Sequence, residues 1–310
     1  MKGLQSSETS QTVSVVITCY NYAKFISQAV DSVLAQTYSD FEVIIVNDGS
    51  TDHTDDVLKP YLSEKKIKYI KQENRGQANA KNNGIRNSMG RLIAFLDADD
   101  WWDKMKLEKL AARFSEENTG VVYSKSQIMD SNGIPLDWIY PEKTYSGRIT
   151  EELFIDNFIP FSSAMIRREC FERAGLFDES LGMGIDWDLW LRISRQYEFD
   201  VVDEPLLYYR MGHVNQMSKN MEVRMRCSDR IMEKFLSESP EMLSGAALNR
   251  AWFKTYCNRG EYYRSKDLRK SSRYFLKAIP RAPLDQGAYR GLAKNLLALL
   301  GIKRAGSRQA

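Results

Sequence analysis

The sequence predicts an α/β fold: a largely parallel sheet covered by helices on both faces, lengthened at its C-terminal end by helices alone. Two observations carry this. Through the first hundred residues, short apolar runs rich in β-branched side chains alternate with stretches of helical spacing, as when each strand of a parallel sheet is followed by a crossover helix. Beyond His213 the strand-type runs stop and only helical spacing continues. A length of 310 residues suits a large α/β body with an appendage.

Residues 13–18 (VSVVIT) read as the first strand, apolar at nearly every position as a strand buried on both faces must be. Residues 24–35 place Phe25, Ile26, Ala29, Val30, Val33 and Leu34 at helical spacing. Residues 41–46 (FEVIIV) give a second strand, ended by the turn residues Asn47, Asp48, Gly49 and Ser50, with Thr51 and Asp52 as helix-start signals. A strand at 67–70, a helix at 77–89 and a strand at 91–96 (RLIAFL) complete the alternation. A helix at 104–114 and a strand at 120–124 follow, and then a turn-rich, aromatic stretch at 127–147 that is expected to be irregular. A strand at 161–167, a short helix at 168–174, a helix at 186–195 and a strand at 199–202 come next. The later helices are expected at 219–238, 246–259, 262–278 and 288–300, with Pro280 and Pro283 as breaks. Residues 259–280 resemble one helix-turn-helix unit of a repeat, without a second unit to make an array. The expected organisation is therefore a flexible N-terminus at 1–11, an α/β domain at 12–217 with halves at 12–100 and 101–217, and a basic helical region at 218–310.

Composition excludes several functions. A net charge of +3 argues against a dedicated nucleic-acid binder. The charge is uneven, with thirteen Lys or Arg from residue 259 onward against three acids. That skew fits peripheral contact with an anionic membrane surface or a solvated helical face. Cys19, Cys170, Cys227 and Cys257 are scattered and show neither zinc-ligand spacing nor a disulfide framework, as expected of reduced thiols. The N-terminus is polar and the late apolar run at 296–300 is too short to span a bilayer, so the expected location is cytoplasmic, at most against the inner face of a membrane.

The chemistry-bearing residues lie where the strands end. Ligands of such sheets bind beyond the carboxyl ends of the strands, and Asn21, Asp48 and Asp97 all fall on that edge. Asp97, Ala98, Asp99 and Asp100 follow a strongly apolar strand. Carboxylates crowded there are costly unless a cation neutralises them, and a divalent ion with oxygen ligands is the usual solution. The competing reading is an acidic turn before a helix. Asp48, ahead of any helix cap, suits a hydrogen bond to a base or ribose. Residues 74–84 (NRGQANAKNNG) open a helix with small and polar residues, and Arg75 and Lys81 offer positive charge to phosphates.

As a set, residues 13–21 (VSVVITCYN), 48–52 (DGSTD), 80–85 (AKNNGI) and 93–100 (IAFLDADD) resemble the successive motifs of the family 2 glycosyltransferases, which have the GT-A fold. The resemblance covers about residues 12–215 and says little about the rest. It implies inverting transfer from a nucleotide-activated sugar, most often a UDP-sugar, with Mn2+ or Mg2+, onto a glycan or lipid-linked acceptor in cell-surface polysaccharide assembly. By the same resemblance Thr18, Tyr20, Asn21 and Asp48 hold the base and ribose, Arg75 or Lys81 lies near the nucleotide, and Asp97 with Ala98 sits by the ribose and metal. Asp99 is then the direct metal ligand. Residues 184–192 (GIDWDLWLR) are similar to the acceptor-side motif, commonly a Glu-Asp pair opening a helix. Ile185 stands where the glutamate is usual, so Asp186 matches the catalytic base and Asp188 is the fallback. Residues 208–213 (YYRMGH) resemble a Tyr-Arg-x-His segment with one extra residue, which makes His213 a candidate third metal ligand. Trp101 and Trp102, beside the acidic motif, are the candidates to line the acceptor, whereas Trp187 and Trp190 have core spacing. A nucleotidyltransferase that makes activated sugars is the nearest rival, but no Gly-rich basic loop follows the first strand. A non-catalytic nucleotide-sugar-binding protein is the other alternative, and the retained carboxylates argue against it.

Overall fold

The computed structural model describes residues 12–213 and 220–300. The segment 1–11, the stretch 214–219 containing the expected boundary, and Lys303, Arg304 and Arg308 lie outside the described residues.

Four parallel strands build the first half: β1 (Val13–Cys19), β2 (Phe41–Asn47), β3 (Ile67–Lys71) and β4 (Leu92–Asp97). Their spatial order is β3-β2-β1-β4, so the chain winds one way through β2 and β3 and then returns to the other side of β1. That reversal opens a crevice at the carboxyl ends of β1 and β4, where Thr18 stands beside Asp97 in register. The connecting helices are α1 (Ile26–Leu34), α2 (Thr54–Leu58) and α3 (Gln77–Arg86). β1, β2 and β4 are almost wholly buried, as their unbroken apolar runs require.

The sheet continues through β8 (Met165–Arg167), antiparallel to β4, then β6 (Thr119–Met129) and β9 (Glu198–Arg210), and ends at β5 (Trp101–Trp102). α4 (Lys106–Ala111), α6 (Arg168–Ala174) and α7 (Ile185–Ser194) fill this half, and α8 (Met221–Glu238) follows β9. The stretch expected to be irregular is instead a hairpin. β6 runs on to Met129, and β7 (Pro135–Tyr140) pairs with it antiparallel. Its turn is set by Asp130, whose Oδ1 accepts from the amides of Asn132 and Ile134, with Gly133 at φ +83°.

Contacts divide the chain into two compact units, one of residues up to 149 with 158–238, the other of 150–157 with 239 onward. α8 therefore belongs with the sheet, not with the C-terminal helices as expected. The second unit holds α5 (Thr150–Ile155), α9 (Gly245–Arg264), α10 (Leu268–Ala278) and α11 (Gln286–Leu299). The break expected near Gly260 is absent, because α9 runs through to Arg264 and the chain turns at 265–267, where Asp267 caps α10 by accepting from the Lys270 amide. Gly260 serves contact instead. A Cβ there would lie 2.7 Å from the Phe275 ring and one on Gly291 of α11 only 2.4 Å away, so the two glycines give that ring its place between helices.

Candidate active site

The acidic motif after β4 turns sharply, the Asp100 amide donating to the Asp97 carbonyl. Its frame is a short 3-10 turn, Phe161–Ser163, that sequence reading missed. Ser162 Oγ accepts from the Asp97 amide, and the Ser162 carbonyl accepts from Trp102 Nε1 at 2.9 Å. Fully buried Lys106 donates to the Ser163 carbonyl. Burial holds its ammonium pKa well below the usual lysine value. Trp102 is only 3% exposed, which removes it from the acceptor surface; it is part of this scaffold. Trp101 remains half-exposed, stacked on Tyr208 at 5.4 Å.

Asp99 and His213 are brought together, with 2.7 Å between Oδ2 and Nε2. Tyr22 and Phe25, which follow β1, pack edge-on or tilted against the His213 ring at 6.0 and 5.3 Å. Arg210 locks the arrangement. Its backbone amide donates to Asp100 Oδ1, its Nε donates to the Asp99 carbonyl, and its guanidinium lies between the Phe25 and Trp101 rings, 4.7 Å from each. Asp100 is buried, and that burial, followed by the charges of Asp99 and Asp97, pushes its carboxyl well above the usual range. Of the three acids on this turn, Asp99 faces His213, and a carboxylate oxygen there is the hard donor that Mn2+ or Mg2+ takes. No three His, Cys, Asp or Glu side chains form a closed metal cage among the described residues.

On the neighbouring strand ends, Asp48 is 4% exposed and turned inward. Its Oδ1 accepts from Gln72 Nε2 and the Arg75 amide, and its Oδ2 accepts from the Gly76 amide, each at 2.8–2.9 Å. A carboxylate has about four acceptor positions, so Asp48 orders the 72–76 loop with most of its capacity. Gly49, at φ +74°, lets that loop close, since a Cβ would lie 2.7 Å from the Asn74 amide. Asn21, itself at φ 60°, ties the crevice rim: its Oδ1 accepts from the amides of Thr51 and Asp52. Tyr20 is 42% exposed at the edge, Arg75 is exposed and Ala98 is buried. Lys81, expected to face phosphates, is 3% exposed and bound to Asp97 at 2.9 Å over the Phe161 ring. A buried ammonium needs a partnered anion, and Asp97 supplies it.

α3 also reaches the acceptor-side motif. Asn79 and Asn82 both donate to the Glu179 carboxylate, and Asn82 Nδ2 donates to the Phe177 carbonyl. They clasp the 176–184 loop that leads into α7, where half-buried Asp186 occupies the first turn. Asp188 is 3% exposed and bound by Arg192 of its own helix and Lys234 of α8. It is a buried structural anion, not a fallback base. Trp187 and Trp190 are core, as their spacing indicated.

The sequence model of Glycosyl transferase family 2 matches residues 14–175, more than half of the chain. The chain belongs to that family. An uncharacterised glycosyltransferase of Nostoc sp. is 35% identical over 223 residues, covering 66% of this chain and 67% of the relative. Across the first three curated relatives the chain spans from 26% to 67% of their length. The family architecture is a GT-A fold, shared with solved structures at 18% identity. Residues 1–349 of S. aureus TarS superpose with a TM-score of 0.66, covering 94% of this chain and 92% of that one, and the same fragment has been solved with UDP-GlcNAc. The mannosyltransferase PcManGT of Pyrobaculum calidifontis, solved with GDP-Man and Mn2+, gives 0.64 over 94% of this chain and 81% of its own.

Proposed function

We propose that this glycosyltransferase moves a sugar, with inversion, from a UDP-sugar onto a hydroxyl of a glycan or lipid-linked acceptor in cell-surface polysaccharide assembly. The observation that carries the reading is the paired Asp99 and His213 at the carboxyl end of β4, beside the crevice between β1 and β4. Structural neighbours solved with UDP-GlcNAc and with GDP-Man and Mn2+ support a nucleoside diphosphate donor and a divalent ion. Asp99 and His213 would hold that ion, with other ligands from the donor diphosphate and water. When bound, it supplies positive charge to the departing diphosphate. Thr18, Tyr20 and the Asp48-ordered loop around Arg75 form the rim offered to the nucleotide.

Asp186 is the base. It takes the proton of the acceptor hydroxyl as that oxygen bonds to the anomeric carbon and the bond to the diphosphate oxygen breaks. A single displacement from the opposite face inverts that carbon. The clasp from α3 to the 176–184 loop supports this assignment, because one helix is bonded both to Asp97 and to the chain entering α7. No helix among the described residues is long and apolar enough to cross a membrane. Peripheral contact with an anionic membrane belongs to the same reading: the end of α11 exposes Leu296, Leu299 and Leu300 near Arg290 and Lys294.

Calorimetric titration with UDP tests the donor site. Binding is expected to need Mn2+ or Mg2+, and Asp99→Ala is expected to weaken ion-dependent binding tenfold or more, about 1.4 kcal/mol. UDP binding that ignores both the ion and Asp99 would remove the metal assignment, and no nucleotide binding at all would remove the donor assignment.

A further inference from the structure

The transfer as described gives Glu179 no part, yet two side chains of α3 converge on its carboxylate. Asn79 Nδ2 donates to Oε2 at 2.8 Å and Asn82 Nδ2 to Oε1 at 3.0 Å. Both asparagines are buried, 7% and 1% exposed. The Phe177 peptide fixes which way the Asn82 amide faces, since its N–H donates to Asn82 Oδ1 and its carbonyl accepts from Nδ2. Hydrogen bonds from Asn79 and then Asn82 hold the Glu179 carboxyl below the usual glutamate range, so at neutral pH it is a charged group that only accepts.

The bonding continues beyond α3. Asn79 Oδ1 accepts from Gln72 Nε2 at 2.9 Å, and the same Nε2 donates to Asp48 Oδ1 at 2.8 Å. Asn83 of α3 donates to Gln72 Oε1, which fixes the direction of that amide as well. An unbroken line of side-chain hydrogen bonds therefore runs from Asp48, which orders the 72–76 loop, through Gln72 and Asn79 to Glu179. Asp186 stands seven positions after Glu179, in the first turn of α7. Between the two, the Gly182 carbonyl accepts from Gln77 of α3 at 3.4 Å, and Ser180 is held by Arg230 of α8, which donates to its carbonyl and its hydroxyl.

We propose that Glu179 is a positioning residue for the transfer, setting the loop that leads to Asp186 in register with the nucleotide rim at Asp48. The inference rests on Asp186 being the base. Two N–H donors face Glu179, and two acceptor oxygens are needed to meet them. A carboxylate has both and a carboxamide has one. Glu179→Gln therefore keeps the shape and sets its NH2 against that of Asn79 or Asn82. In the double variant Asn79→Asp, Glu179→Gln, donor and acceptor change places at one contact. The carboxylate introduced on α3 still accepts from Gln72, and the glutamine oxygen still accepts from Asn82.

The test follows UDP release from UDP-glucose, UDP-galactose and UDP-GlcNAc with water as acceptor. Calorimetry with UDP, thermal melts and hydrogen exchange of residues 176–186 accompany it. Glu179→Gln is expected to lower kcat about 10–100-fold, as a misplacement of about 1 Å does, with KM and UDP affinity within about twofold. The double variant is expected to return kcat to within about threefold of wild type, the mark of a direct pair. Wild-type kcat in Glu179→Gln, a rise in KM in place of a fall in kcat, or a double variant that regains melting temperature but not kcat overturns the proposal. If none of the three donors turns over, hydrogen exchange decides. Glu179→Gln is then expected to speed exchange at 176–186 about tenfold and the double variant to slow it again, and unchanged exchange overturns the proposal. Full turnover in Asp186→Asn beside a loss in Glu179→Gln would sink the base assignment and leave the register standing.

Discussion

At the scale of single residues, the site consists of carboxylates whose neighbours decide their use. Asp186 and Asp188 are two positions apart on α7 and meet different surroundings. Asp188 sits between Arg192 and Lys234, 2.8 Å from each, whereas Asp186 lies half-buried in the helix's first turn. Spacing alone showed that the two point to different sides of the helix, but not which side carries cations. We expect Asp186→Asn to lower kcat by roughly 10²–10⁴, the range for loss of a general base, while UDP affinity stays within about twofold. Retention of kcat in that variant would move the base elsewhere. The acidic turn was legible because a buried strand followed at once by carboxylates is an unusual pattern. Ser162 and Glu179 were not, since each acts across 65 or more residues of sequence and neither stands in a pattern of its own; Arg210 stood in the segment 208–213, but its hold on Asp99 and Asp100 was not visible there.

At the scale of elements, propensity placed most helices and strands, and tertiary contact moved their ends. A glycine that reads as a helix break at 260 lies inside α9 because the Phe275 ring occupies the space a side chain would need. The attachment of α8 to the sheet was invisible in sequence for a similar reason: it depends on Lys234 meeting Asp178 and Asp188, 56 and 46 residues away. Burial alone would raise the Asp178 carboxyl, but hydrogen bonds from Ser180 and Lys234 outweigh it and hold the pKa at about 2, below its ordinary 3.8. The folded pKa is depressed, so the stabilisation is present above about pH 4 and is lost as pH falls towards 2. It is on the order of 1 kcal/mol once solvent screening is allowed for. Thermal melts of wild type and Asp178→Asn should therefore differ at pH 6 and converge near pH 2. A gap that persists unchanged at pH 2 would show that Asp178 acts through packing and not through its charge.

At the scale of the whole molecule, the division of the chain does not follow sequence order. The expected organisation treated residues 12–217 as one domain, yet α5 groups with the C-terminal helices. Its Glu151 accepts from the Ser244 amide at the start of α9, and Asp156 pairs with Lys254 at 2.6 Å. Leu153 and Phe154 of α5 are fully buried, on an element that packs against α9. Nothing in the composition of 150–157 marks it as belonging ninety residues downstream, because a short amphipathic helix reads the same whichever partner covers it. A chain ending at Glu238 keeps α5 and removes α9. Exposing a Leu and a Phe costs about 3–6 kcal/mol, a large part of the 5–15 kcal/mol that separates folded from unfolded domains. The truncated chain is therefore expected to melt at a clearly lower temperature than the full chain and to bind a hydrophobic dye that the full chain does not. If it melts as the full chain does and stays dye-free, α5 does not depend on α9, and the sheet-bearing unit is self-sufficient with α5 attached.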